Sequence, residues 1–237
     1  MLSIITPSLN SAEFIEQNIR SIQTLNIPYQ HIIVDGGSTD NTIEIIRKFK
    51  DVILLSQIEK KGMYHAIDLG FKSCKGDVIT WVNSDDKIIK EGFETMYTEL
   101  KKFNYDFVYS NGFFVDKENN ILSIIKGTIW AKFFLKRGIM PFIQPATLYK
   151  KSLYVSIGGL NYKKFRIVGD FDLFHRMSIQ NNVVFKKISV DSILFLKYGE
   201  SLGDKNGPLA AQERIQIGLP YKWSWVNIVY KIGTIIS

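Results

Sequence analysis

Four short apolar runs in the first 90 residues each stop at a polar loop, and segments of helical periodicity separate them. Residues 2–5 close at Thr6-Pro7, residues 31–34 at Asp35-Gly36-Gly37, residues 52–55 form a third run, and residues 77–82 close at Asn83-Ser84-Asp85-Asp86. Between them, Phe14, Ile15, Ile19, Ile22 and Leu25 recur at helical spacing, and residues 42–49 and 63–73 also read as helices. Asn10 with Glu13 three residues on reads as a capping box for the first helix. This β-α-β-α order predicts an α/β fold, a mainly parallel sheet with helices on both faces. Ligands of such sheets bind beyond the carboxyl ends of the strands.

The second half is less regular. Residues 91–102 read as a helix, and 106–115 and 121–125 as strands around the turn Lys117-Glu118-Asn119-Asn120. Residues 130–137 form a short amphipathic helix, 144–149 a strand and 171–180 a helix. No repeat or linker divides the chain, so 1–220 reads as one domain. The tail 221–237 differs in character, amphipathic and rich in Trp, Tyr and Ile, with Lys222 and Lys231 as its charges. No run of about 18 uncharged apolar residues exists, so no spanning helix is expected. Nor does a basic segment precede the first apolar run, as a leader peptide would require. Cys74 is the sole cysteine, which excludes an intramolecular disulfide and fits a reducing compartment. The net charge of +7 suits nucleic acid, an anionic membrane surface or phosphorylated substrates, or is a solvated basic surface. No dense basic stripe interleaved with stacking aromatics is present, so nucleic acid is not expected as a partner.

Acidic residues gather in three loops. Asp85 and Asp86 are adjacent carboxylates that repel each other, so either a bound cation relieves them or the loop caps the next helix. In the stretch from Asp35 to Thr42, two glycines let backbone approach a ligand, while Asp40 or Asn41 is placed to cap the following helix. Asp170 and Asp172 precede an apolar helical pattern, and either suits a cap. His175 can orient a carboxylate or serve the structure. Gly199, Glu200, Ser201 and Lys205 read as a loop over a diphosphate or as a surface turn. The glycine fingerprints of dinucleotide-binding and P-loop enzymes are both missing.

Taken in order, Thr6-Pro7-Ser8-Leu9-Asn10, Val34-Asp35-Gly36-Gly37-Ser38-Thr39-Asp40, Gly62-Met63-Tyr64-His65-Ala66 with Gly70, Gly76-Asp77 and Asn83-Ser84-Asp85-Asp86 resemble the signature of family 2 glycosyltransferases with a GT-A fold. Farther on, Gln144-Pro145-Ala146, Gly158-Gly159-Leu160 and Gly169-Asp170-Phe171-Asp172-Leu173 with Arg176 resemble that family's acceptor-side part, so the likeness covers about residues 1–200. The resemblance implies a GT-A (Rossmann-like) fold with a nucleotide-binding half, 1–90, and an acceptor-side half, 91–220. It implies an inverting, metal-dependent enzyme of bacterial surface polysaccharide synthesis. Such an enzyme moves a sugar from a nucleoside diphosphate, usually uridine diphosphate (UDP), to a glycan or lipid-linked acceptor.

By the same resemblance Pro7 and Ser8 flank the base, Asp35 hydrogen-bonds it, and Asp85 reaches the ribose or donor sugar. Asp86 ligates Mn²⁺ or Mg²⁺ on the diphosphate, and Asp170 is the catalytic base. The chain departs from the pattern at His65, where relatives often carry Asp, at Asp68, where they often carry Asn, and at Gly169, which replaces a frequent acid. No histidine follows Arg176 to act as a late metal ligand. The Gln-x-x-Arg-Trp signature of processive synthases is absent, which implies transfer of single sugars. A cytoplasmic enzyme, peripheral at the inner face of the membrane, is expected, with 221–237 against lipid, its own core or a partner chain. The competing expectation is a non-catalytic, nucleotide-binding relative that assembles with other glycosyltransferases; Asp86 and Asp170 argue against it.

Overall fold

The structure, a computed structural model, describes residues 1–57, 59, 61–198 and 206–218. The expected loop 199–205 and the tail 221–237 lie outside the described residues. The first half consists of β1 (Leu2–Ser8), α1 (Ile15–Gln23), β2 (Tyr29–Asp35), α2 (Thr42–Ile46), β3 (Val52–Ser56), α3 (Met63–Ser73) and β4 (Val78–Trp81). These four strands pair in parallel in the order β3-β2-β1-β4, as the alternating pattern requires. The second half adds β5 (Lys87–Ile88), α4 (Lys90–Phe103), β6 (Phe107–Val115), β7 (Ile121–Ile125), α5 (Ala131–Leu135), β8 (Thr147–Lys150), α6 (Lys151–Ser156), α7 (Gly169–Ser178), β9 (Phe185–Leu196) and α8 (Gly207–Gln216). One sheet runs through both halves, β3-β2-β1-β4-β8-β6-β9-β5, with β7 on β6. β8 is antiparallel to β4 and β6, whereas β9 runs parallel to β6.

The sheet separates two main cores through the two-residue period of a strand. Ile5, Ile79, Phe107 and Tyr149 point to the side of α3 and α7, where Phe71, Phe171 and Phe174 meet them. Their neighbours Ile4, Val78, Val108 and Leu148 point to the other side, onto Phe93, Met96 and Leu100 of α4. Phe174 stacks on Trp81 at 6.0 Å, which seats α7 directly against the strand that ends in the acidic loop.

Two local expectations are corrected. Asn10 and Glu13 do not form a capping box: α1 starts from Phe14, Asn10 takes a left-handed φ of 50°, and Glu13 pairs with Lys117. Asn10 Oδ1 accepts from Thr39 N at 2.8 Å, so the residue serves loop-to-loop contact instead. The helix expected at 171–180 begins at Gly169 from the N-cap Val168, which puts Asp170 and Asp172 inside its first turn rather than at a cap. α6, β9 and α8 had no counterpart in the sequence pattern.

Candidate active site

The loops after β1, β2 and β4 leave the same end of the sheet, because β1 and β2 pair residue for residue from Leu2↔Tyr29 to Ser8↔Asp35. Asp35 organises its own turn. Its Oδ2 accepts from Gly37 N and Ser38 N at 2.7 and 2.9 Å, and its Oδ1 accepts from Ser38 Oγ at 2.5 Å. Ser11 N donates to Thr42 Oγ1 at 2.8 Å, and Ser11 Oγ meets Ser84 Oγ at 2.8 Å, so the three loops are tied together. Ser8 Oγ is buried without a partner among the described residues. Gln57 N donates to Asp35 O at 2.7 Å, while its side chain meets His65 Nδ1 at 3.1 Å and donates to Gly62 O at 3.2 Å. Gly62, at φ 95°, supplies the left-handed turn from which α3 starts.

The acidic loop 83–86 is held from α1. Asn18, fully buried, donates from Nδ2 to the carbonyls of Asn83 and Asp86, both at 2.9 Å. Asp86 is 1% exposed; its Oδ1 accepts from Leu196 N at 3.1 Å and its Oδ2 from Asn83 Nδ2 at 3.2 Å. Burial, and then the charge of Asp85, push its carboxyl well above the usual range. Burial likewise raises Asp85, against a hydrogen bond from Tyr198. Asn83 Oδ1 has no donor among the described residues. Two desolvated carboxylates beside an orphaned amide oxygen form an all-oxygen donor set, which suits Mg²⁺ or Mn²⁺, ions that take further ligands from substrate phosphates. Among the described residues no group of three His, Cys, Asp or Glu offers a metal a complete protein cage.

Asp170 reaches this end of the sheet through α3. The one hydroxyl proton of Tyr64 is shared between Ile167 O at 2.8 Å and Asp170 Oδ1 at 3.1 Å, and Phe171 N donates to the same Asp170 oxygen at 2.7 Å. Burial raises the Asp170 carboxyl, with the Phe171 and Tyr64 donors opposing. Gly169 is required here, since a Cβ would stand 2.7 Å from the Tyr64 ring. Glu213 of α8 is 3% exposed and clamps the approach to α7: Oε1 accepts from Arg166 N at 2.8 Å, and Oε2 from Ile167 N and Val168 N at 2.9 and 3.0 Å. Asp172 is occupied otherwise. It pairs with Arg176 at 2.7 Å and accepts from Asn161 Nδ2 at 2.9 Å, while Arg176 also donates to the carbonyls of Ile157 and Gly159. His175 Nδ1 bonds Leu135 O at 3.0 Å, a structural contact between α7 and α5.

Pro7 and Ser8 at the end of β1, Asp35 at the end of β2 and Asp85 and Asp86 in the loop after β4 therefore stand at one sheet end, and Tyr64 ties Asp170 to the helix that starts there. A cavity of about 80 Å³ opens beside Asp85, between Phe14, Gln17 and Lys117. A larger cleft of about 710 Å³ lies at the opposite end of β4, near Gly76 and Lys151, away from the acidic loops. Sequence reasoning missed Asn18, Tyr64 as the partner of Asp170, and Glu213. Asn18 had a readable signal: it occupies a position of the apolar stripe Ile15, Ile19, Ile22. Glu213 had none, because its partners lie 45 to 47 residues away.

Comparison with known proteins bears on the family and the fold. The sequence profile of glycosyl transferase family 2 matches residues 3–158. Poly(ribitol-phosphate) β-N-acetylglucosaminyltransferase TarP of Staphylococcus aureus (strain N315) is 25% identical over 182 residues, covering 73% of this chain and 55% of TarP. Among solved structures, residues 1–349 of S. aureus TarS in complex with UDP-GlcNAc superpose with a TM-score of 0.69 at 17% identity, covering 86% of this chain and 60% of that one. The mannosyltransferase PcManGT of Pyrobaculum calidifontis, in complex with GDP-Man and Mn²⁺, gives 0.65 at 16% identity, covering 91% and 62%. These superpositions establish the expected GT-A architecture. The chain spans about half the length of the curated relatives it matches.

Proposed function

This chain belongs to glycosyl transferase family 2, and from that premise we propose that it transfers a single sugar, with inversion, from a UDP-linked donor to a glycan or lipid-linked acceptor in bacterial surface polysaccharide synthesis. The observation that carries this reading is the pair Asp85 and Asp86, desolvated together at the carboxyl end of β4, with Asp170 joined through Tyr64 to the same end of the sheet. Neighbours solved with UDP-GlcNAc and with GDP-Man and Mn²⁺ support a nucleotide-sugar donor and a divalent ion.

In this reading Pro7 and Ser8 flank the nucleobase and Ser8 Oγ gains its missing partner there. Asp35 fixes the loop and offers its remaining lone pairs to the base. Asp85 addresses the ribose or sugar. Asp86 holds Mn²⁺ or Mg²⁺, with Asp85 and the Asn83 amide oxygen beside it. When bound, the ion neutralises charge on the departing diphosphate. Asp170 takes the proton of the acceptor hydroxyl as that oxygen bonds to the anomeric carbon and the bond to the diphosphate breaks; one such displacement inverts the centre. Burial suits Asp170 to this task, since a raised carboxyl is a stronger base than an ordinary one.

UDP should protect the fold against heat more than the adenosine or guanosine diphosphates do, because a ligand stabilises by mass action. Asp35→Ala should erase the preference. Equal protection by all three would remove Asp35 as a reader of the base.

A further inference from the structure

Between Glu118 and Asp170 the chain has no acidic residue, yet it carries nine of the 30 lysines and arginines. Several of these surround an apolar surface on α5 and the turn that leads into it. Ile129, Trp130 and Phe133 are 72%, 60% and 42% exposed, while Ala131, Phe134 and Leu135 of the same segment are buried. Lys132 Nζ reaches Gln180 O and Val183 O at 2.9 and 2.8 Å, which brings the turn bearing Ile179 and Val184, both about half exposed, against the same helix. Lys126, Lys136 and Arg137 are exposed at its margin, and the Arg137 guanidinium lies 3.5 Å over the Phe133 ring. Among the described residues no carboxylate pairs with these three. Asp106, which faces Lys132, is engaged by Lys150 at 2.8 Å and by Val184 N at 2.9 Å.

We propose that this face of α5, with the 179–184 turn, is a docking surface for an anionic lipid bilayer. Trp, Phe and aliphatic side chains ringed by Lys and Arg match the interface of such a bilayer, apolar below and negative above. The charge also selects against other occupants. A second copy would set these cations against their own kind, and the tail 221–237 brings Lys222 and Lys231 and no acid. A nucleic acid would use the aromatic rings but leave Ile129, Ile179 and Val184 in water. The inner face of α5 packs on α7, through Leu135 O and His175, so a bilayer held on the outer face is one helix away from the helix that carries Asp170. That consequence rests on the proposed lipid-linked acceptor, whereas the docking itself does not.

Sedimentation of the full chain with phosphatidylglycerol–phosphatidylcholine vesicles, against phosphatidylcholine alone, tests the proposal. The chain should sediment with the anionic vesicles, and less so at high salt. Lys136→Gln and Arg137→Gln should each weaken partitioning about fivefold, and Trp130→Ser with Phe133→Ser should remove most of it. Trp223→Ser with Trp225→Ser should retain it. UDP protection against heat should be the same in all these variants, which separates loss of docking from loss of fold or of the donor site. No sedimentation of the intact chain would overturn the assignment. So would binding that the tail variant loses and the α5 variants keep, a Trp130-dependent dimer, or an oligonucleotide complex in place of vesicle binding.

Discussion

Asp170 and Asp172 stand two residues apart on α7 and meet different electrostatic demands. Asp172 is buried against Arg176 and Asn161 and uses both in holding the loop before α7. Among the described residues no cation is bonded to Asp170, though the charge of Arg214 acts on it; a phenol and one backbone N–H are its donors. Asp170→Asn should therefore lower turnover about a hundredfold or more while the melting temperature holds or rises. The sign follows from the raised carboxyl: its folded pKa exceeds the unfolded one, so the ionised form costs stability at neutral pH, and the amide removes that cost. Asp172→Asn should keep more turnover but lose about 3 kcal/mol of stability, as expected when one member of a buried ion pair is removed. Thermal melts and single-turnover rates on both variants check the contrast. Tyr64 gives a second test. Its hydrogen bond lowers the Asp170 pKa, so Tyr64→Phe should raise it further and move the acid limb of kcat/KM to higher pH. A limb that stays in place would detach Tyr64 from the base.

α8 matters through one side chain. Glu213 caps three consecutive N–H groups ahead of α7, and Glu213→Ala would strand that of buried Val168 and leave those of Arg166 and Ile167 without their carboxylate. The expected cost is at least about 3 kcal/mol, with turnover falling further than UDP protection because the displaced element carries Asp170 and not the nucleotide loops. Melting curves with and without UDP, together with turnover, measure both. Neither α8 nor this contact was legible in the sequence, since the apolar residues of 207–216 form no clear stripe. β9 was hidden for a related reason: Lys186, Lys187 and Asp191 interrupt its apolar alternation. By contrast β1 and β4 are buried on both faces, and such strands read as continuous apolar runs. The acidic segments at Asp35 and at Asp85 and Asp86 were legible because each lies at the end of its strand, whereas Asp170 and Asp172 follow no strand and stand inside α7. Asn18, Tyr64 and Glu213 act across 65 to 106, and 45 to 47, residues, distances that only the folded sheet closes.

At the scale of the whole molecule, one continuous sheet joins a parallel half, whose strand ends and loops carry Pro7, Ser8, Asp35, Asp85 and Asp86, to a mixed half that delivers Asp170 and displays the basic face of α5. Among the described residues no helix is long and apolar enough to cross a membrane. The two halves meet through Phe174 on Trp81 and Tyr64 on Asp170, so in the proposed reaction donor and acceptor chemistry would depend on this junction. The central claim is that this junction performs metal-dependent sugar transfer. Release of nucleoside diphosphate from a panel of nucleotide sugars, in Mn²⁺ and in EDTA, tests it most directly. The expected result is release from UDP-sugars with Mn²⁺, abolished by EDTA, by Asp86→Asn and by Asp170→Asn. Thermal protection by UDP without release from any nucleotide sugar, with any divalent ion and with acceptor present, would contradict the claim and leave a nucleotide-binding relative that does not catalyse.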